Sequence, residues 1–488
     1  MTEPLPSAQR FTSAELPQRA LSAAEQVDHL LGRRGEVDHR GPELNTLIEV
    51  NPEAMTIAME RDAEARDGTV RGPLHGLAIA VKDNIDTADA MLTTAGSLAL
   101  AETRPSHDAP LVARLRQAGV VVLGKANMSE WANMRSPRST SGWSARGGLT
   151  RNPWDPTRSA GGSSSGSAAA VAAGVAPFAI GTETDGSIIC PASFNGVVGI
   201  KPTVGLLPTE GIIPISHSQD APGPMARSVR LVAALLDAMA GTDHFLAACD
   251  DVTLGGVRIG VVRDHFGAHA AADSVTESAI SLLAAEGATV VDSVPSVAFP
   301  DPRNEDEDEY LKVLLYELQH DLTAYLATRP AGTPRMLTEI VAFNRAHADA
   351  ELQWFGQEYL ERAAELPGLD ADDYRNARMN TLRLAREDGL DAILGGHGVD
   401  VLVAPAFPPA AMNDLVLGDP AGPGGDCTTA PAIAGYPIIS VPIGFVHGLP
   451  VGLAITGPAN SEARLLRVAR ALEARLGLLD DGALIPPL

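Results

Sequence analysis

The stretch GGSSSGSAAA at residues 161–170, followed by GTETDGS at residues 181–187, carries the strongest structural signal in this 488-residue chain. These two segments place Ser163 and Ser187, each directly after a glycine, 24 residues apart. Glycine lets a backbone come unusually close to a ligand, as an oxyanion site requires. The alanine run predicts a helix that ends near Gly174, and apolar residues predict a strand leading into the second loop.

A short apolar strand with a lysine at its end lies upstream of both loops. Leu77–Val81 has the length and composition of a buried strand, and Lys82 follows it. The other lysines of the chain are Lys125, Lys201 and Lys312. Burial lowers the pKa of a lysine, and a neutral lysine can take a proton from a serine. Two serines and one lysine therefore suffice for a hydrolase without histidine.

Two other interpretations of the serine loop fail on their context. Residues 162–166 fit the nucleophile elbow G-x-S-x-G with Ser164 at its centre, and His397 or His447 could then complete a triad. That elbow requires a buried strand before it, whereas residues 151–158 are polar and interrupted by proline. A phosphate-binding loop requires lysine where Ser167 stands.

Strand and helix patterns alternate along most of the chain and predict an α/β fold. We expect a single large domain over residues 1–488, with a central mixed β-sheet covered by helices. Residues 300–390 differ because they are acidic, helix-rich and nearly free of strand patterns. They are interpreted as a helical insertion that shapes the substrate pocket. The acidic run at residues 304–309 is expected to begin a solvated helix.

Composition excludes several classes of partner and site. The formal net charge of −24 disfavours nucleic acid and anionic membranes. Three distant cysteines without a C-x-x-C pair argue against a disulfide framework or a zinc site, so neither metal nor cofactor is expected. The start of the chain lacks a signal-peptide pattern, which predicts a cytoplasmic location. The sequence leaves a homodimer open.

The chain resembles the amidase signature family at five motifs. They are GLAIAVKDN at 76–84, GGSSSGSAAA at 161–170, GTETDGSIICP at 181–191, GVVGIKPT at 196–203 and GLPVGL at 448–453. The resemblance implies the amidase signature fold and an amidase activity, which is hydrolysis of C–N bonds other than peptide bonds. It implies a Ser-Ser-Lys triad with Ser187 as the nucleophile, Ser163 as the bridging serine and Lys82 as the base. An acyl-enzyme intermediate is expected.

The resemblance also implies two features of the backbone. A non-proline cis peptide bond is expected between Gly162 and Ser163. The oxyanion hole is expected from the backbone N–H groups of Thr184, Asp185 and Gly186, together with that of Ser187.

Three positions depart from the commoner family pattern. Glu183 stands where aspartate is usual, Asp185 where glycine is usual and Ile189 where arginine is usual. The missing arginine removes an expected partner of the acid at 183. These departures, with the segments at 141–148 and 211–216, resemble bacterial peptide amidases.

The expected reaction is therefore the release of ammonia from C-terminal peptide amides, and the expected partner is a small-molecule or peptide amide substrate. Amidases of other small, aryl or fatty amides or of carbamates remain alternatives, as does the glutaminase subunit of a tRNA-dependent amidotransferase. A catalytically silent scaffold of the same fold is a further hypothesis.

Overall fold

An eleven-stranded mixed β-sheet forms the centre of the protein within residues 21–299, 308–420, 427–479 and 484–488, the ranges that the computed structural model describes. The strands are β1 (Leu47–Val50), β2 (Ala78–Lys82), β3 (Val121–Ala126), β4 (Trp143–Ser144), β5 (Gly148–Leu149), β6 (Phe178–Glu183), β7 (Val198–Lys201), β8 (Ala221–Ala226), β9 (Arg258–Val262), β10 (Thr289–Val294), β11 (Val401–Pro405), β12 (Ile438–Val446) and β13 (Leu449–Thr456). Strands β4 and β5 form a separate pair. The predicted fold class is confirmed.

Helices cover both faces of the sheet. They are α1 (Ala23–Arg34), α2 (Ala54–Arg66), α3 (Pro110–Gln117), α4 (Ser165–Ala172), α5 (Ile189–Asn195), α6 (Val229–Ala240), α7 (His244–Ala248), α8 (Ala270–Ala285), α9 (Glu309–Thr328), α10 (Leu337–Ala346), α11 (Ala348–Glu351), α12 (Glu358–Ala364), α13 (Asp372–Ala385), α14 (Asp391–His397), α15 (Thr429–Ala434) and α16 (Glu462–Leu476). None of the helices in the described ranges is both long and apolar enough to cross a membrane. The cytoplasmic location stays a prediction.

The sheet follows the order β1-β3-β2-β6-β8-β7-β12-β13-β11-β9-β10. Strands β2, β3 and β6 run parallel, whereas β8 is antiparallel to β6. Successive side chains of a strand point to opposite faces, and β2 obeys this rule. Ile79 and Val81 join one core cluster with α3, α6 and α16, whereas Ala78 and Ala80 join the cluster on the other face with α1 and α4. Packing on both faces of the sheet therefore fixes the position of the end of β2, where Lys82 lies.

Strand β8 was not expected from its sequence, because it contains Pro222 and Pro224. Proline lacks the N–H that a sheet ladder needs and is confined to strands with an open side. Both prolines pair with β6, while β7 pairs only with the last two residues of β8. Gly223 lies so close to β7 that a Cβ there would come within 2.0 Å of the Ile200 carbonyl oxygen. The prolines thus lie in the part of β8 that does not pair with β7.

The described residues 308–390 contain the helices α9 to α13, joined by short loops, and their interpretation as an insertion stays a prediction. Its helices pack around their own apolar cluster, which includes Leu318, Leu322 and Ile340 and extends to Trp131 of the main body. Most of the acidic run at 304–309 lies outside the described residues, and the described Asp308 caps the start of α9.

Candidate active site

Lys82 ends β2, and its amine lies fully buried among hydroxyl groups. Its Nζ is 2.8 Å from Ser163 Oγ and 3.0 Å from Ser164 Oγ. It is also 3.0 Å from the Thr182 carbonyl oxygen and 2.9 Å from Thr182 Oγ1. Thr182 belongs to the neighbouring parallel strand β6, so strand pairing itself brings these groups together.

The environment of Lys82 favours the uncharged amine. Burial is the main cause and lowers the pKa of Lys82 to about 7, against an ordinary 10.5, while the charges of Asp220 and Glu183 act in the opposite direction. Its four close partners fit a neutral amine. Such an amine has two N–H donors, for example to the Thr182 carbonyl and Ser164 Oγ, and one lone pair that can accept from Ser163.

Two other lysines are also fully buried, but neither contacts a serine of the two loops. Lys125 Nζ donates to the Ile85 carbonyl and to Thr93 Oγ1. Lys201 Nζ donates to the Tyr436 carbonyl at 2.6 Å, and burial lowers its pKa to about 8. The hydrogen bonds to Ser163 and Ser164 therefore distinguish Lys82 from the other two lysines, although burial alone does not.

Ser163 lies in the turn just before α4. The peptide bond between Gly162 and Ser163 is cis, as the family resemblance implied. Gly162 has no room for a side chain, because a Cβ there would lie 2.3 Å from Ser129 Oγ and 2.8 Å from Ser141 Oγ. The Ser163 carbonyl accepts a hydrogen bond from the Ser129 N–H at 3.1 Å. The turn is thus fixed by its immediate neighbours.

The environment of Ser164 does not fit the nucleophile of the G-x-S-x-G elbow. Its hydroxyl is completely buried and is hydrogen-bonded to Thr182 and Lys82. His397 and His447, which that interpretation would need, are both exposed.

Ser187 lies between β6 and α5 and lines a cavity of about 310 Å³. Thr184, Asp185 and Gly186, the residues predicted for the oxyanion hole, line the same cavity. Within the described residues no hydrogen bond joins Ser163 Oγ to Ser187 Oγ, and catalytic hydrogen bonds of this kind often tighten only with substrate bound. The two serine loops do meet through the Ser164 N–H, which donates to the Ser187 carbonyl at 3.0 Å.

Glu183 finds partners other than the absent arginine. Its carboxylate accepts from the backbone N–H of Ile188 at 2.7 Å and from that of Ile189 at 3.0 Å. Burial raises the pKa of Glu183, and the nearby charge of Lys201 opposes this effect. The arginine is thus absent, as the sequence showed, and backbone N–H groups bind Oε2 of Glu183.

Asp220, at the turn into β8, is a functional neighbour that the sequence did not reveal. It accepts from Thr184 Oγ1 at 2.5 Å and from the N–H groups of Ile215 and Ser216 at 2.8 and 3.0 Å. Burial raises the pKa of Asp220 to about 6. Asp220 thus fixes Thr184 and places a titrating carboxyl near Lys82.

The cavity is mostly apolar. Its apolar walls come from Met134, Ile215, Leu314 and Phe407. Among the described residues that line it, Asp185 is the single charged side chain, and no lysine, arginine or histidine takes part. The insertion contributes Leu314 and Tyr310 of α9 to this lining. Whether the rest of the insertion shapes the pocket stays a prediction.

One group of side chains in the described ranges has the composition of a metal site. His217, Glu317 and Asp321 offer ligand atoms that lie within 4.8 Å of one another. His217 Nδ1 is 2.9 Å from Asp321, and the buried Glu317 accepts from Tyr374 at 2.8 Å. His217 and Asp321 bind each other, and Glu317 accepts from the hydroxyls of Tyr374 and Ser216, so we assign no metal to the group.

The hydrogen-bond partners of Lys82 lie within the quoted motifs, whereas several partners of Thr184 and Asp185 lie outside them. Asn84 belongs to the quoted motif at 76–84, and its Nδ2 donates to Thr182 Oγ1 at 3.0 Å. Asp220, Tyr310 and Thr428 carried no local signal because each reaches the site through tertiary contacts.

Comparisons with known proteins show which proteins this chain is similar to. The family model described as Amidase matches residues 34–466. A solved structure of native peptide amidase from Stenotrophomonas maltophilia is 45% identical, with a TM-score of 0.87, over 93% of this chain and 94% of that one. A peptide amidase in complex with the competitive inhibitor chymostatin is 46% identical, with a TM-score of 0.88, over 93% of this chain and 94% of that one.

Curated relatives include members of a second functional group. A probable amidase of Arabidopsis thaliana is 34% identical over 95% of this chain and 87% of its own length. A glutamyl-tRNA(Gln) amidotransferase subunit of Halorhodospira halophila is 37% identical over 93% of this chain and 94% of its own length.

Proposed function

This chain belongs to the amidase family and is a hydrolase of amide C–N bonds, and we propose that it deamidates C-terminal peptide amides with Lys82, Ser163 and Ser187 as its catalytic residues. The proposal rests above all on one observation. A fully buried lysine whose pKa is about 7 lies 2.8 Å from the hydroxyl of Ser163, in the turn beside the cavity that Ser187 lines.

The proposed reaction begins with a proton relay. Neutral Lys82 accepts the proton of Ser163 while Ser163 Oγ accepts the proton of Ser187. Ser187 Oγ attacks the amide carbonyl carbon, and the electrons of the C=O bond move to oxygen. Backbone N–H groups of residues 184–187 stabilise this oxyanion, because fixed dipoles act strongly where charge develops.

Collapse of the tetrahedral intermediate then breaks the C–N bond. The proton held by Lys82 returns through Ser163 to the leaving nitrogen, which departs as ammonia and leaves an ester on Ser187. Water, deprotonated by the same relay, attacks this ester and releases the peptide acid. Both half-reactions need Lys82 to alternate between the neutral and charged forms, which a pKa near neutrality allows.

The cavity supports an uncharged C-terminal amide as substrate. A free carboxylate, such as the α-carboxylate of glutamine, would meet no cationic side chain among the described lining residues and would lie near Asp185. Similarity favours the same choice. Peptide amidase structures are 45% and 46% identical, whereas the glutamyl-tRNA(Gln) amidotransferase subunit of Halorhodospira halophila is 37% identical.

The test is ammonia release by the purified chain alone. We expect activity on peptide amides without any partner protein, and weaker activity on free glutamine. Ser187→Ala should lower ammonia release by at least about 10,000-fold, as removal of a catalytic serine does elsewhere. Ser193→Ala, which changes a buried serine of the adjacent helix α5, is the matched control and should retain activity.

The same assay, run on a panel of amides, anilides and carbamates, also distinguishes the alternative functions. Activity on glutamine that appears only with a tRNA-binding partner would assign the chain to the amidotransferases. Preference for anilides, fatty amides or carbamates would replace the peptide amide as the substrate class. An active Ser187→Ala variant would contradict the assignment of the nucleophile.

A further inference from the structure

The side chain of Asp185 is held by three hydroxyl groups from outside its own loop. Its Oδ1 accepts from Thr428 Oγ1 at 2.7 Å, and its Oδ2 accepts from Thr429 Oγ1 and from the Tyr310 hydroxyl, each at 2.8 Å. Tyr310 lies in the first turn of α9, within the insertion, and Thr429 begins α15. One carboxylate therefore ties the loop to two separate helices.

The rest of the loop is fixed in the same manner. Thr184 is held through its side chain by Asp220 and through its carbonyl, which accepts from Gln219 Nε2 at 3.3 Å. The Gly186 carbonyl accepts from the Cys190 N–H at 2.8 Å. Side chains and carbonyls thus carry the anchoring contacts, while the residues expected to supply the oxyanion hole line the cavity.

We propose that Asp185, through the hydroxyls of Tyr310, Thr428 and Thr429, is the positioning residue that holds the oxyanion loop at its working distance from the substrate. This inference rests on the proposed amide hydrolysis. It assigns a role to a position where the commoner family pattern has glycine, and it makes α9 of the insertion part of the catalytic framework.

Charge gives a second reason for three donors at this carboxylate. A negative side chain on the oxyanion loop opposes the negative charge that develops on the substrate oxygen. Three hydroxyl donors disperse the charge of Asp185, and the cation of Lys201 interacts with it as well. Loss of one hydroxyl should therefore loosen the loop and leave more negative charge facing the oxyanion.

The test compares two tyrosines of the same helix. Tyr310→Phe removes the hydroxyl that reaches Asp185. Tyr316→Phe removes a hydroxyl that reaches Asp373 at 2.7 Å, and it serves as the matched control. We expect kcat on a peptide amide to fall by about tenfold in Tyr310→Phe, with KM changed less than about twofold, because displacement within a site affects the transition state most. Tyr316→Phe should keep the wild-type kcat.

A second pair of variants tests the hydroxyl itself. Thr429→Val, which keeps the shape of the side chain, should lower kcat by about tenfold, and Thr429→Ser should restore it. Binding of a peptide aldehyde, which forms a tetrahedral adduct with an oxyanion, should weaken in parallel with kcat, while binding of the peptide acid should not change. The melting temperature of each variant is compared with that of Tyr316→Phe.

The outcomes distinguish this inference from the proposed function. If wild type is inactive on every amide, the proposed function fails. If wild type is active and both Tyr310→Phe and Thr429→Val keep its kcat, the positioning role is wrong. Losses that Thr429→Ser does not rescue, or losses that match a fall in melting temperature, would also overturn it.

Discussion

Replacement of Lys82 by methionine tests directly whether this buried amine is uncharged. Folding must lower its pKa from an ordinary 10.5 to about 7. At ~1.4 kcal/mol per pKa unit this costs about 4–5 kcal/mol at pH 7. Methionine carries no charge to suppress, but it removes the hydrogen bonds of Nζ. The Thr182 and Ser164 groups keep other hydrogen bonds, so Ser163 Oγ is the group that loses its partner, at a cost of about 1–3 kcal/mol. We therefore expect Lys82→Met to be inactive and yet more stable than wild type at pH 7.

The pH dependence separates these two contributions. The unfolded chain binds a proton at this amine below pH 10.5, whereas the folded protein binds it only below about pH 7. Wild type should therefore gain stability as pH rises between these values, because the unfolded state binds more protons. From pH 7.5 to 9.5 the gain is about 2.5 kcal/mol for wild type relative to Lys82→Met. Lost hydrogen bonds do not vary with pH in this manner.

Urea unfolding at several pH values measures this difference. The free energy of unfolding of Lys82→Met minus that of wild type should shrink steadily from pH 7.5 to 9.5. Lys201→Met is a graded control, because the pKa of Lys201 is about 8 and the same change should be about 1.8 kcal/mol. A difference for Lys82→Met that stays constant over this range would refute a neutral Lys82 and, with it, the proposed relay.

Further predictions follow from the same contacts. On the acid side, kcat/KM of wild type should rise about tenfold per pH unit and level off above an apparent pKa near 7, since only neutral Lys82 accepts a proton; a profile that is flat from pH 5 to 8 would contradict this. Gly162→Ala should abolish ammonia release, because its Cβ would lie 2.3 Å from Ser129 Oγ, whereas Gly395→Ala, with open space around it, should not. Arg135→Ala should lower the free energy of unfolding by about 3–5 kcal/mol, because it leaves the buried Glu130 and Glu351 without their cation, while Arg345→Ala at an exposed ion pair should cost about 0–1 kcal/mol.

The local sequence pattern was sufficient to predict the strand that carries Lys82 and the helix that follows Ser163. Strand β2 was expected at Leu77–Val81 and is found at Ala78–Lys82, and the helix after the serine loop ends near Gly174 as expected. Such patterns are reliable because side-chain alternation and glycine caps act within a few residues. Family resemblance added the cis bond before Ser163, which no periodicity could indicate.

Tertiary contacts decided what the sequence did not reveal. Lys82, Lys125 and Lys201 are all fully buried, so burial does not single out the lysine that the family resemblance indicated; the hydrogen bonds from Lys82 to Ser163 and Ser164 do. Asp220 was missed because β8 contains prolines and does not resemble a strand. Tyr310 was missed because the insertion offers many aromatic residues, and nothing local indicates which one meets Asp185.

The order of the strands has a consequence for biosynthesis. One half of the sheet, β1 to β8, comes entirely from the first half of the chain, and it joins the other half only where β7 pairs with β12. More than two hundred residues separate Lys201 from Ile438, the pair that begins this seam. At ~5–20 residues per second a ribosome needs roughly 10–50 s to cover that distance. Throughout this interval the edge of β7 in the growing polypeptide is unpaired. An unpaired strand edge can pair with another chain and lead to aggregation. We therefore expect translation speed and chaperone supply to govern how much active protein a cell produces.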